Sequence, residues 1–148
     1  MNRALFAMIL LFGLTALARA EVCSDITHAV LTVDARNDEW ASAQIKVKKG
    51  DLVLVFAKGS ADAHMVNGNN VTPDGMGLTH NGRLQMKLGT GQIASTGSRW
   101  VGMAPEPGGI KFRVEVDRNR ENWSGSYKVR VIVVPGSALP PEVKVESD

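Results

Sequence analysis

The feature that most constrains this chain is the alternation running from Ile110 to Val134. Ile110, Phe112, Val114 and Val116 alternate with Lys111, Arg113, Glu115 and Asp117, and Tyr127, Val129, Val131 and Val133 alternate with Lys128, Arg130 and Ile132. Successive side chains of a strand point to opposite faces, so each run predicts a strand with one buried face. Their closeness in sequence predicts that they pair with each other as an antiparallel hairpin. Between them lies Asp117-Arg-Asn-Arg-Glu-Asn-Trp-Ser-Gly-Ser126, which offers carboxylates, carboxamides, an indole and a glycine turn. Polar loops held on stiff strands are a usual place for binding residues.

The same period recurs upstream. His28 to Val33 reads as a first strand, and Asp34 to Trp40 as a polar turn. Ala43 to Val47 and Leu52 to Ala57 are strands on either side of Lys48-Lys49-Gly50-Asp51, where Gly50 supplies the positive φ of a tight turn. Lys58 to Thr79 is a long excursion without periodicity, the kind of loop that is either functional or mobile. Arg83 to Leu88 alternates again, Ile93 and Arg99 to Val101 are short extended pieces, and Pro135 ends the last strand. About seven short strands with glycine-rich turns and no helical stripe predict an all-β, antiparallel sandwich.

The first twenty residues lie outside that pattern. Arg3, the apolar run Leu5 to Leu17 and Ala18-Arg19-Ala20 have the order of a secretory signal peptide, and the run is too short to span a bilayer. The expected organisation is a signal peptide over 1–20, a flexible lead over 21–27, the sandwich over 28–136 and an exposed tail over 137–148. The expected address is the periplasm or the medium, with no membrane insertion after the signal is removed. The full chain has 17 Lys and Arg against 15 Asp and Glu; without Arg3 and Arg19 the balance is even. Nothing in that charge calls for nucleic acid as a partner. Cys23 is the single cysteine, so no internal disulfide forms, and a free thiol, an intermolecular bridge or a plain unpaired side chain all stay open.

At the level of motifs, Pro73-Asp74-Gly75, Gly82-Arg-Leu-Gln-Met-Lys-Leu-Gly89, Arg99-Trp-Val101, Gly109-Ile-Lys-Phe112, and Asp117 followed by Asn122-Trp-Ser-Gly-Ser-Tyr127 stand in one order. That order resembles the calcium-dependent galactophilic bacterial lectins, over nearly all of residues 31 to 134. The resemblance implies a jelly-roll-like, galactose-binding-domain-like β-sandwich holding a sugar through calcium at its loop ends. It also implies that Asp117 and Asn122 match an aspartate and the first of two asparagines in the metal set. Trp123 stands in place of the second asparagine, no threonine lies between Asp117 and Asn122, and Thr72 replaces a sugar-binding histidine before Pro73-Asp74. An indole cannot ligate a hard cation that takes about 6–8 oxygens.

The candidate residues have two readings each. Asp117, Asn119 and Asn122 either hold calcium weakly through one carboxylate and two carboxamides, or cap backbone amides of their loop. Trp123 either stacks on the apolar face of a sugar or covers the edge of the sandwich. Pro73 and Asp74 with His80 and Asn81 form a second loop, where Asp74 would accept and His80 donate a hydrogen bond to sugar hydroxyls, or where both are simply solvated. His28, His64 and His80 lack the paired spacing of a zinc site. There is no Gly-x-Ser-x-Gly elbow, no His-Glu-x-x-His and no phosphate loop. The expectation is a non-catalytic carbohydrate-binding module with no cofactor assured and calcium as a candidate. The alternative is a structural or protein-interaction module that lost sugar and calcium, with a protein partner or a homo-oligomer in either case.

Overall fold

Val, Ile, Phe and Tyr fill the alternating runs, and such side chains suit a pleated, half-buried surface. The computed structural model describes residues 25–63, 70–76, 81–116 and 119–141. Among them lie nine strands: β1 Thr27–Asp34, β2 Ala41–Val47, β3 Leu52–Asp62, β4 Asn70–Val71, β5 Leu84–Leu88, β6 Ile93–Ser95, β7 Arg99–Met103, β8 Gly108–Val114 and β9 Ser124–Val134. The signal peptide expected over 1–20 and the last seven residues of the tail lie outside the described residues.

The strands form two antiparallel sheets, so the fold is the expected all-β sandwich. The larger sheet runs β1-β9-β3, and the far edge of β3 is shared by β7, against Leu52–Phe56, and β4, against Ala61–Asp62. The smaller runs β2-β8-β5-β6. Inward positions of both sheets meet in one core, where Leu84, Met86, Ile110, Phe112, Val53, Val55, Tyr127, Val129 and Val131 are fully buried. Each large apolar side chain buried this way stabilises the fold by about 1.5–3 kcal/mol.

The two runs of the expected hairpin do not pair. β8 lies between β2 and β5 in one sheet, and β9 lies between β1 and β3 in the other. Residues 115–123 therefore cross from sheet to sheet, and the inward side chains of β8 and β9 face each other across the core. The alternation gives the buried face of a strand but not its neighbour, and sequence proximity supplied the wrong partner. The turn at Lys48–Asp51 also changes sheets; Gly50 does adopt a positive φ of 87° there. Asp51 closes that turn by accepting from the amides of Lys48 at 2.7 Å and Gly136 at 3.0 Å.

β3 runs five residues beyond the expected end at Ala57, because the β9 ladder continues to Asp62↔Ser124 and overrides the weak strand propensity of Lys58-Gly59-Ser60. Gly125, expected in a turn, sits inside β9. A Cβ on Gly125 would lie 2.4 Å from the Ser60 carbonyl oxygen, and one on Gly59 would lie 2.4 Å from that of Ser126. Both glycines have positive φ, so the two backbones approach here as only glycine permits.

Candidate functional site

One end of the sandwich gathers the two loops singled out in the sequence. The segment leading from β4 to β5 and the crossing from β8 to β9 meet through backbone bonds: the Gly82 amide donates to the Glu115 carbonyl at 2.7 Å, and the Glu115 amide donates to that of Arg83 at 2.8 Å. Beneath them Tyr127 raises its hydroxyl from β9 into a nest of carbonyls, 2.7 Å from Gly82, 3.0 Å from Thr72 and 3.1 Å from Val71. Burial, with Asp74 nearby, pushes the Tyr127 pKa up, so the phenol stays a donor at neutral pH.

Trp123 is 4% exposed and belongs to the core. Its ring lies against Gly82, where an added Cβ would come within 3.1 Å of the indole. The stacking expectation for Trp123 is thus corrected, because neither face of the indole is open to a sugar; of its two readings, covering the sandwich is the observed one. Pro73 is buried as well, and its carbonyl accepts from the Leu84 amide at 2.9 Å, so it shapes the loop rather than presenting a ring to a ligand.

Asp74 is exposed, and one of its carboxylate oxygens, Oδ1, accepts from the Ser98 amide at 2.7 Å. The Arg83 Nε donates to the Asp74 carbonyl at 3.0 Å, and the Met76 amide to the Asn81 carbonyl at 2.8 Å, which fixes the base of this loop. Asn122 is exposed on a single 3-10 turn, Arg120–Asn122, that starts from Asn119 in the left-handed region at φ 53°. The structure therefore brings Asp74 and Asn122 to the same end of the molecule, on loops joined at Gly82 and Glu115. His80 and Asp117 lie outside the described residues.

Two residues that the sequence did not single out hold this end together. Arg120 donates through Nη1 to the carbonyls of Ala35 at 3.0 Å and Asn37 at 3.2 Å and through Nη2 to that of Val114 at 2.9 Å, and its Nε lies 3.3 Å from Asp38. Burial lowers its pKa and Asp38 opposes that, leaving a guanidinium that stays charged. Among the described residues, none hydrogen-bonds the buried Oε2 of Glu115. Leaving such an atom unpaired costs about 1–3 kcal/mol. Its only mark in the sequence is its position where the β8 alternation runs into the polar loop, and Arg120 has none.

The metal set implied by the resemblance fits only in part. Asn119 and Asn122 offer carboxamide oxygens, whereas Trp123 offers no oxygen and is sealed in the core. Among the described residues no group of three or more His, Cys, Asp or Glu is placed to hold a metal ion. A separate groove of about 430 Å³ lies on the outer face of the larger sheet, between Val30, Phe56, Lys128 and Arg130, away from these loops.

Among solved structures, the chain is similar to one described as "EclA N-terminal domain; PllA-like lectin", at 22% identity and a TM-score of 0.62, covering 71% of this chain and 95% of that one. At that identity the likeness is one of fold: the sandwich is lectin-like. No protein-family model matches the sequence, and no curated protein does.

Proposed function

We propose that this chain is an exported, non-catalytic carbohydrate-binding module that meets a sugar at the loop end of its sandwich, in the periplasm or outside the cell. The observation that carries the reading is the fold, shared with 95% of a lectin domain. The site is assigned to Asp74 and Asn122 with the loop from Thr72 to Asn81. Asp74 keeps one oxygen on Ser98 and turns the other to sugar hydroxyls, Asn122 gives a carboxamide, and His80 is assigned a donor role. Trp123 acts from below as the floor on which Gly82 rests. Binding of this kind is by hydrogen bonds from these side chains.

A second reading has its own support. The residue in place of the second asparagine is a core indole, as expected of a module that kept the sandwich and gave up sugar and calcium for a structural or protein-interaction role.

Thermal unfolding separates the two. The protein is stripped with EDTA and melted alone, with calcium, with galactose or a glycan panel, and with calcium and sugar together. A ligand at a hundred times its dissociation constant stabilises by about 2.7 kcal/mol, a shift of several degrees for a domain of this size. The proposal expects a rise with at least one sugar, lost in Asp74→Ala. A rise that appears only with calcium returns the ion to the site. A flat response throughout removes the sugar site and leaves the interaction reading.

A further inference from the structure

Every open sheet leaves edges, and folded proteins blunt them with bulges, lysines, prolines or shortness. Three edges here, one of them shared by β4 and β7, are blunted. β2 is bulged between Ser42 and Lys46, with Gln44 at φ 57°, and carries Lys46. β6 and β4 have three and two residues. β7, with five, opens on Arg99 and contains Gly102.

β1 is different. It pairs with β9 over eight consecutive positions without a bulge, from Thr27↔Val133 to Asp34↔Ser126. Its sequence, Thr-His-Ala-Val-Leu-Thr-Val-Asp, has no lysine, proline or glycine. Among the described residues no strand hydrogen-bonds to its other edge: its only ladder is with β9, although β2 of the other sheet lies close by, and the backbone bonds outside the ladders involve only the carbonyl of Asp34, at its end. Val30 is 48% exposed, and Ala29 and Leu31, which face the core, are only partly covered. This is a long, unbulged edge with apolar residues at its centre, open to another strand.

The chemistry of the edge selects a second copy of this chain. Continuing the sheet about a twofold axis keeps outer face with outer face, so opposed residues must have the same parity in the strand. Centring the axis on Leu31 places Val30 opposite Thr32 of the second copy and His28 opposite Asp34, twice over. An imidazole then faces a carboxylate at both ends and apolar side chains meet in the middle. Shifting the axis to Val30 leaves His28 opposite Thr32 and Asp34 beyond the strand, so that register is inferior. We propose that β1 is a self-association strand, and that two copies pair antiparallel through it about Leu31 to make one ten-stranded sheet. This stands independently of sugar binding; when both hold, it doubles the number of sites per particle.

The test uses the protein produced from its whole gene and processed by a bacterial host. Sedimentation velocity over roughly 1 to 500 μM suits an interface at the small end of the specific range. The proposal expects concentration-dependent dimer. Thr32→Lys, at an exposed position, weakens it at least tenfold with an unchanged unfolding midpoint. His28→Asp weakens it, and adding Asp34→His in the same chain restores it. In a Cys23→Ser background, Leu31→Cys oxidises to a covalent dimer, whereas Val101→Cys, on the opposite edge, does not. A monomer across the whole range overturns the proposal, as does cross-linking of Leu31→Cys no faster than that of Val101→Cys. A dimer indifferent to Thr32→Lys also overturns it, since the interface would then lie elsewhere.

Discussion

Removing the indole of Trp123 would leave a void bounded by Val71 and Gly82 under the loop end. Trp123→Ala is therefore expected to cost about 3–5 kcal/mol in urea unfolding, and Trp123→Phe clearly less. A larger loss of sugar response than of stability in Trp123→Phe would contradict its role as a floor. Gly125→Ala and Gly59→Ala each drive a methyl into a carbonyl oxygen of the opposite strand, and each is expected to cost at least about 2 kcal/mol through clash and positive φ. Their effects should not add, since the two glycines flank one Ser60↔Ser126 pair. At Asp74 two roles separate by substitution. Asp74→Asn keeps an acceptor for Ser98 and removes the charge, so it should leave the melting point within about 1 kcal/mol of stability while weakening sugar binding.

Elements were legible where burial alone defines them. The strands now labelled β1, β2, β5, β8 and β9 could be read from their alternation, because each has one apolar face in the core, although in β5 the second face is largely covered too, with Gln85 buried. Partnership was not legible: Phe112 and Tyr127 point inward whether their strands are neighbours or lie in opposite sheets, and the choice is made by contacts distant in sequence. The extension of β3 through Gly59 was hidden for the same reason. Arg120 illustrates the limit at the site, since a cation in a polar loop looks solvated until the carbonyls of Ala35, Asn37 and Val114 are placed around it. Arg120→Ala is expected to cost about 1–3 kcal/mol and to speed amide exchange in residues 119–123, leaving β3 and β9 protected. Equal protection of that loop in the variant would show that the clamp is not what orders it.

For the whole molecule, the sandwich followed from pattern and resemblance, whereas the burial of individual side chains at its loop end did not. Trp123 reads equally as an exposed stacking ring or as a cover for the sandwich edge, and tertiary packing decides for burial. Glu115 reads as an outward strand residue, yet its backbone is bonded to Gly82 and Arg83 and its Oε2 is buried. The first strand of the sandwich is zipped to the last, with Thr27 opposite Val133. Closing so long a span delays the reward of pairing, so refolding followed by tryptophan fluorescence is expected in the range of about milliseconds to seconds, and β1 amides should gain protection in the final phase. Microsecond refolding would rule that out. A chain whose larger sheet cannot close until its C-terminal strand arrives also stays threadable while it is being made. If the proposed export holds, that late closure would leave the chain open to threading until the last strand of its larger sheet had been made.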